Sequence, residues 1–242
     1  MVTKGNLFVV STPIGNLEDI TIRAIKTLLN VDFIACEDTR KTGQLVKYLK
    51  DKYAEQFNLS TKEHKFISFY DEVENQKTFE IINILKSGND VALVSDSGTP
   101  LIADPGFNLI QACLKYQIPL IPIPGPSALT GALVLSGLPL TNIFFTGFLS
   151  HKESQKEKLF QSLLQCFKTL KQTPTVVMYE TPHRLISTLN TMKITFGNIN
   201  IVVCRELTKV YEEIFRGSLS EALTRFQNPK GEFVILFNTL QE

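Results

Sequence analysis

The fold class of this 242-residue chain is decided by the stretch VALVSDSGTP at residues 91–100. Four apolar residues pass without a break into a run of small, polar and turn-forming residues. This pattern predicts a buried parallel strand that ends in a loop, because buried strands are continuous apolar segments whereas Gly and Pro favour turns. Ligands of open α/β sheets bind at the carboxyl ends of strands, so the loop is also a candidate site.

Strands alternate with helices on both sides of that stretch. Short apolar and β-branched runs predict further strands at residues 7–10, 31–35, 66–69 and 120–123. Between the strands, apolar residues recur with helical spacing, as at Ile22, Ile25 and Leu29. Such alternation builds a parallel sheet with crossover helices, so the first half is expected to form an α/β domain.

The second half of the chain has a similar alternation. Strands are predicted at residues 143–148, 175–179, 201–204 and 233–237, and helices at residues 153–170 and 220–226 and from Pro182 onward. Prolines are concentrated at residues 118–126, where each fixes its own φ and restricts the residue before it. We therefore expect a hinge there and two α/β domains, at residues 1–120 and 121–242.

Composition and charge exclude several classes of protein. With 43% apolar and 20% charged residues, the chain is not collagen-like, disordered or a disulfide scaffold. A net charge of +1 is not that of a nonspecific nucleic-acid binder, so a nucleic-acid partner would need a local basic patch. Two segments qualify, residues 40–52 with five basic residues against one acidic, and residues 150–172 with five against two. Basic segments are more often solvated faces, and both interpretations stay open.

The sequence also bears on location and metals. Residues 118–140 are apolar and long enough to cross a membrane, but five prolines would break a spanning helix. The N-terminus lacks the regions of a signal peptide, so a cytoplasmic location is expected. The four cysteines are scattered without the spacing of zinc ligands, which predicts free thiols and no metal site.

The loops after the predicted strands are the candidate sites. Neither a phosphate-binding G-x-x-x-x-G-K-[ST] loop nor a G-x-G-x-x-G motif is present. The loop at residues 95–106 is either a turn cluster or a ligand loop in which Asp96 or Asp104 fixes a hydroxyl or an ammonium group. The group Glu37-Asp38-Thr39-Arg40 is either a solvated charge run or part of the same site.

Seven short motifs, in order along the chain, resemble a known family, the small-subunit ribosomal RNA 2'-O-methyltransferases of the tetrapyrrole methylase-like group. They are STPIGNL at residues 11–17, EDTR at 37–40, SDSGTPLI at 95–102, PGPSA at 124–128, Tyr179-Glu180 with His183-Arg184, RELTK at 205–209 and KGE at 230–232. The set is more specific than any one of its members.

The resemblance implies a two-domain α/β fold, each domain a mixed sheet flanked by helices, with S-adenosylmethionine in the cleft between the domains. It also implies a homodimer that methylates the 2'-hydroxyl of a cytidine ribose in the decoding region of small-subunit (16S) ribosomal RNA. By motif, the cofactor contacts fall on Pro13, Gly15, Gly98, Thr99, Pro100, Ile102, Ser127, Ala128, Tyr179 and Leu207. Related tetrapyrrole enzymes carry Asp at the position of Thr99, which weakens the transfer of their contacts.

The same resemblance yields candidates for catalysis and RNA binding. A ribose hydroxyl is a poor nucleophile, so a carboxylate that removes its proton is expected, and the candidates are Asp38, Glu180 and Glu206. RNA phosphates would be met by Arg40, Lys41, Lys152 and Arg184. Two alternatives stay open, a methyltransferase of corrin or porphyrin precursors and a noncatalytic binding protein of ribosome assembly.

Overall fold

A computed structural model describes residues 4–59, 62–169 and 173–239. The chain divides into two compact units, of which the first ends at Ser127 and the second begins at Ala128. The domain limits expected from the prolines, 1–120 and 121–242, stay a prediction. No helix of the described segments is long and apolar enough to cross a membrane.

The first unit is a five-stranded sheet with helices in the connections between its strands. Its elements are β1 (Leu7–Val10), α1 (Ile22–Asn30), β2 (Phe33–Cys36), α2 (Thr39–Tyr53), β3 (Lys65–Ser68), α3 (Glu74–Lys86), β4 (Val91–Leu93), α4 (Phe107–Lys115) and β5 (Leu120–Ile123). The strand order is β3-β2-β4-β1-β5, and all four ladders are parallel. This sheet is therefore parallel, whereas a mixed sheet was expected for each domain. The reason is that every connection in this unit is a crossover, which returns the chain to the end of the sheet where the previous strand began.

The central strands β1, β2 and β4 are covered on both faces, which explains their continuous apolar sequences, whereas the edge strand β3 is mostly exposed. Successive side chains of a strand point to opposite faces. On β4, Ala92 therefore packs in the cluster with Ile25 and Leu28 of α1, whereas Leu93 packs in the other cluster with Ile81 of α3 and Leu109 of α4.

The second unit is a five-stranded mixed sheet with helices. Its elements are α5 (Ala128–Ser136), β6 (Ile143–Phe148), α6 (Glu153–Thr169), β7 (Thr175–Glu180), α7 (Pro182–Phe196), β8 (Asn200–Arg205), β9 (Glu213–Ser218), α8 (Leu219–Arg225) and β10 (Phe233–Phe237). The order is β6-β7-β10-β8-β9, in which β6 and β7 are parallel and the other ladders antiparallel. Its core combines α6, α7 and α8 with β7, β8 and β10.

The α/β class is confirmed, and strands β1, β5, β6 and β10 have the predicted bounds. Two elements, α2 and β9, were not predicted. Helix α2 is largely polar and basic, and the residues that it buries, Thr42, Val46 and Leu49, form only a narrow stripe. Its start is set by Asp38, which accepts hydrogen bonds from two backbone N–H groups. Strand β9 is an edge strand with a polar sequence and is formed by pairing with β8. The last residue of the helix predicted at 153–170 lies outside the described residues.

Candidate functional site

The loops after β4, β1 and β5 are joined at the carboxyl ends of three neighbouring strands. Thr12 and Gly98 exchange backbone hydrogen bonds, with N–O distances of 2.8 and 3.1 Å. The hydroxyl of Thr12 also donates to the carbonyl of Ser95 at 3.2 Å. These bonds fix the loop after β1 against the loop after β4, where the sequence predicts a ligand site.

A chain of hydroxyl groups extends this connection to the loop after β5. Ser11 Oγ lies 2.9 Å from Thr99 Oγ1, which donates to the carbonyl of Pro126 at 3.0 Å. A Cβ on Gly125 would lie 3.0 Å from the Cβ of Ser11, so the glycine lets the two loops pack closely together. We call Ser11, Thr12, Gly98, Thr99 and Pro126 the loop junction. Ser11, Thr12 and Pro126 were not among the predicted cofactor contacts, although all three lie within motifs that carry the resemblance.

The loop at residues 97–103 has an unusual backbone. Gly98 has φ +86°, and the non-glycine residues Leu101 and Ala103 have φ of 70° and 69°. A positive φ at a non-glycine residue costs of order 1 kcal/mol in backbone strain. Such a residue is retained where the surrounding structure requires it, often at ligand sites. Besides Gly98 and Thr99, four predicted cofactor residues lie in this loop or in the loop after β1 that it contacts. They are Pro13, Gly15, Pro100 and Ile102, whose N–H donates to the carbonyl of Thr99.

Charged groups surround the ends of β2 and β4. Asp38 caps α2 and also contacts the guanidinium of Arg40 at 3.2 Å, and these hydrogen bonds hold the pKa of its carboxyl below the usual value. Asp96 pairs with Lys41 at 2.7 Å and accepts the N–H of Asp38 at 3.1 Å. The predicted base Asp38 and the predicted RNA contacts Arg40 and Lys41 are therefore brought together here.

Asp104 is the carboxyl group of this region with the highest proton affinity. Burial, and then the negative charge of Glu37, raise the pKa of Asp104 to about 7, while the Ser95 hydroxyl opposes the rise. Burial also raises the pKa of Glu37. A carboxyl that titrates near neutrality can hold or release a proton during a reaction. Sequence reasoning gave Asp104 only a role in binding, because burial cannot be seen in a motif.

In the second unit, the predicted base Glu180 lies at the end of β7 and is 1% exposed. Its Oε1 accepts the N–H of Thr181 at 2.9 Å, and its Oε2 accepts the Thr188 hydroxyl at 2.6 Å. Arg184 Nε lies 3.2 Å from Oε1 without the alignment of a hydrogen bond. Arg184, predicted to bind RNA, also donates to the carbonyl of Leu149 at 2.5 Å. Both carboxylate oxygens and this arginine are thus engaged by the protein itself.

The predicted base Glu206 follows β8, where it is held in a second compact arrangement. Its Oε1 accepts the ammonium of Lys209 and the N–H of Glu232, each at 2.9 Å. Although burial raises the pKa of Glu206, these hydrogen bonds and the charge of Lys209 lower it by more. Gly231 has φ +93°, and a Cβ there would lie 2.5 Å from Glu206 Cγ. The glycine of the KGE motif is therefore required by the side chain of the RELTK motif.

The other predicted residues are distributed over both units. Tyr179 packs edge-on against Phe145 and Phe148, with ring centroids 5.0 and 5.5 Å apart. Leu207 is buried, Ala128 begins α5, and the exposed Lys152 precedes α6. Ser127 is the last residue of the first unit. Within the described ranges no group of three or more His, Cys, Asp or Glu residues is arranged to hold a metal ion.

Comparisons with known proteins give a consistent result. The model of the tetrapyrrole (corrin/porphyrin) methylases matches residues 6–223. The chain is 43% identical to a protein from Synechocystis sp. named ribosomal RNA small subunit methyltransferase I, over 96% of this chain and 78% of that protein. A protein of the same name from Hydrogenobaculum sp. is 43% identical over 98% of each.

Solved structures share the fold at low sequence identity. The uroporphyrin-III-C-methyltransferase of Thermus thermophilus superimposes with a TM-score of 0.64 at 17% identity, covering 98% of this chain and 96% of that chain. A structure of the Thermus thermophilus enzyme complexed with S-adenosyl homocysteine has a TM-score of 0.61 at 14% identity, with coverage of 98% and 99%.

Proposed function

Because the chain belongs to the tetrapyrrole (corrin/porphyrin) methylases, and among them to the ribosomal RNA small subunit methyltransferase I proteins, we propose that it methylates small-subunit ribosomal RNA with S-adenosylmethionine. The acceptor is the 2'-hydroxyl of a cytidine ribose in the decoding region. The observation that carries this proposal is the identity of 43% to proteins of that name over nearly the whole chain. We also propose that the protein acts in the cytoplasm as a homodimer.

The loop junction supports the cofactor part of the proposal. Its residues present small side chains and backbone N–H and C=O groups at the carboxyl ends of adjacent parallel strands, where ligands of α/β sheets bind. The residues that would hold S-adenosylmethionine in the first unit are Pro13, Gly15, Gly98, Thr99, Pro100, Ile102 and Ser127, and in the second Ala128, Tyr179 and Leu207. Bound there, the cofactor supplies a methyl group on a positively charged sulfur.

The chemistry requires positioning and the removal of one proton. The ribose oxygen forms a bond to the methyl carbon as the carbon–sulfur bond breaks, so the oxygen must be held in line behind that bond. The hydroxyl proton goes to a base, for which we propose Asp38, Glu180 or Glu206. Asp104 is a fourth candidate, because its pKa is about 7. The burial of Glu180 and the ion pair of Glu206 favour a supporting role for these two.

One labelling experiment tests the proposal. Purified protein is incubated with methyl-labelled S-adenosylmethionine and, separately, with small ribosomal subunits, naked small-subunit RNA and a tetrapyrrole precursor. We expect label in RNA at one ribose that resists alkaline cleavage, since cleavage needs a free 2'-hydroxyl. Label found only in the tetrapyrrole would overturn the proposal, and failure to bind the cofactor would favour a noncatalytic binding protein.

A further inference from the structure

A basic groove lies in the first unit between α2 and the edge strand β3. It has a volume of about 470 Å³, and its lining includes Gly43, Lys47, Lys50, Lys62 and Phe66. We call these five residues the lysine groove. Glu63 is the acidic residue of the lining, so the groove carries a net positive charge.

The geometry of α2 connects this groove to the candidate site. Arg40, Gly43, Lys47 and Lys50 recur at intervals of three or four residues, which places them along one face of the helix. From Arg40 to Lys50 this face extends about 15 Å, at 1.5 Å per residue. The helix begins at the carboxyl end of β2, where Asp38 and Asp96 lie. The face therefore leads from the loops of the first unit to the groove.

Two cations of this face, Lys47 and Lys50, differ from Arg40 and from the neighbouring lysines in how they are paired. Lys41 is bound to Asp96, and Lys52 turns to the Tyr48 hydroxyl at 2.9 Å. In the part of the chain that the structure describes, neither Lys47 nor Lys50 lies within 4.0 Å of a carboxylate. Lys62 lies 2.8 Å from Asp32 and is half-exposed. Two ammonium groups are thus exposed and available to a polyanion.

The remaining wall of the groove is aromatic. Phe66 is 36% exposed on β3, although its neighbour Ile67 on the same strand is buried. Among the described residues, no atom lies within 4 Å of a Cβ added to Gly43 on the opposite side, so these residues leave the groove open beside the helix. Unpaired cations beside an exposed aromatic ring are the combination by which proteins hold single-stranded nucleic acid, through phosphate contacts and base stacking.

From these observations we infer that the lysine groove binds a single-stranded segment of the RNA substrate next to the methylated nucleotide, with Lys47 and Lys50 on phosphates and Phe66 against a base. The inference rests on the proposed function and adds to it a second contact region for the same substrate. The Arg40 side chain lies on the same face nearer the loops and is 87% exposed, although its guanidinium is paired with Asp38.

The first test is the salt dependence of RNA binding. Binding of an unmethylated small-subunit ribosomal RNA transcript is measured over a range of salt for the wild type and for Lys47→Gln/Lys50→Gln. Each phosphate contact with a single strand contributes about 0.7 to the magnitude of the slope of log K against log salt. The slope of the double variant should therefore be smaller in magnitude by about 1.4. At about 0.1 M salt its affinity should be about 25-fold lower, and the loss should vanish toward about 1 M. The control is Lys115→Gln/Lys193→Gln, which neutralises two exposed lysines on other helices and should keep the wild-type slope.

The second test fills the groove without removing a charge. Gly43→Gln places a side chain into open space and improves the helix propensity of α2, so the variant should unfold at or above the wild-type temperature. We expect the KM for RNA to rise at least fivefold while kcat at saturating RNA is kept. Phe66→Leu keeps an apolar side chain but removes the ring, and it should weaken RNA binding about fivefold or more.

The outcomes separate this inference from the function on which it rests. If the wild type transfers no label to RNA, the proposed function fails. If the wild type methylates RNA but Lys47→Gln/Lys50→Gln keeps its salt slope and Gly43→Gln keeps its KM, the groove is not an RNA contact. An equal loss in the Lys115→Gln/Lys193→Gln control would also overturn the inference, because the effect would then be one of total charge.

Discussion

The loop junction of the first unit and the two carboxylates of the second use polar groups in opposite ways. In the junction, neutral hydroxyl and backbone groups connect three loops, as between Ser11 and Thr99. In the second unit, Glu180 and Glu206 are ionisable groups whose oxygens are occupied by an arginine, a lysine, a hydroxyl and backbone N–H groups. Gly98 and Thr99 of the junction were predicted to contact the cofactor, whereas Glu180 and Glu206 were predicted as candidates for the catalytic base.

The difference follows from the cost of burying charge. A buried carboxylate costs several kcal/mol unless it is paired and hydrogen-bonded, so Glu180 must be satisfied by its own fold. A hydroxyl bond contributes about 1 kcal/mol and can be exchanged for a bond to a ligand. We therefore expect substitutions in the second unit to act mainly on stability and those in the junction mainly on binding.

The largest effect is expected for Glu180→Gln. The change removes the negative charge beside the half-buried Arg184. It also replaces one accepting oxygen by an NH2 group, so either the Thr181 N–H or the Thr188 hydroxyl loses its acceptor, and stability should fall by about 3 kcal/mol. Urea unfolding measures the loss, and Glu157→Gln, which alters an exposed carboxylate, should stay within about 0.5 kcal/mol of wild type. Unchanged stability together with lost turnover would instead make Glu180 the base.

The second effect concerns the arrangement around Glu206. In Gly231→Ala the new methyl group would displace the Glu206 side chain from Lys209 and the Glu232 N–H, and stability should fall by about 2 kcal/mol. The matched control is Gly137→Ala, which has φ +73° but no atom within 4 Å of the added Cβ. Its stability should fall only by the strain of an alanine at this positive φ, about 1 kcal/mol. Equal losses in the two variants would mean that Glu206 is not held as described.

The third substitution should lower the affinity for the cofactor by more than it lowers stability. Thr99→Val keeps the shape of the side chain but removes its bonds to Ser11 and Pro126, with an expected cost of about 1 kcal/mol in stability. Because the junction loops would move, the affinity for S-adenosylmethionine, measured by calorimetry, should fall about tenfold, or by 1.4 kcal/mol. Thr224→Val, which removes a hydroxyl bond within α8, should leave that affinity unchanged. A Thr99 variant with normal cofactor affinity would contradict the proposed site.

The smallest effect is a pH dependence from Asp104. Its pKa is raised from 3.8 to about 7 in the folded protein, so the folded state binds the proton more tightly than the unfolded state in that range. Stability from this group is therefore present at low pH and is lost as the pH rises from about 4 to about 7. In Asp104→Asn this decrease in stability with rising pH should be absent. Its size in the wild type is about 1 kcal/mol after allowance for the partial exposure of Asp104. Unfolding at pH 5 and pH 8 checks this, and parallel profiles for the two proteins would disprove it.

Particular elements explain how far prediction succeeded. Strand β4 and its loop were predicted because an apolar run followed by Ser, Asp, Gly and Pro is a local signal. Helix α2 was not predicted because most of its residues are polar or basic, and its stability depends on packing of Val46 and Leu49 against the sheet. Strand β9 depends on pairing with β8, which no local pattern encodes.

The sequence by itself determined the α/β class, the strand–loop order and the family, because each depends on local periodicity or on motifs in a fixed order. Only the tertiary structure decided which of the motif residues are available for chemistry. Glu180 and Glu206 accept hydrogen bonds from groups of their own unit, Asp104 acquired a pKa of about 7, and Lys47 came to share a groove with Phe66. The physical reason is that burial and the pairing of charges depend on groups distant in sequence, whose proximity exists only after the chain has folded.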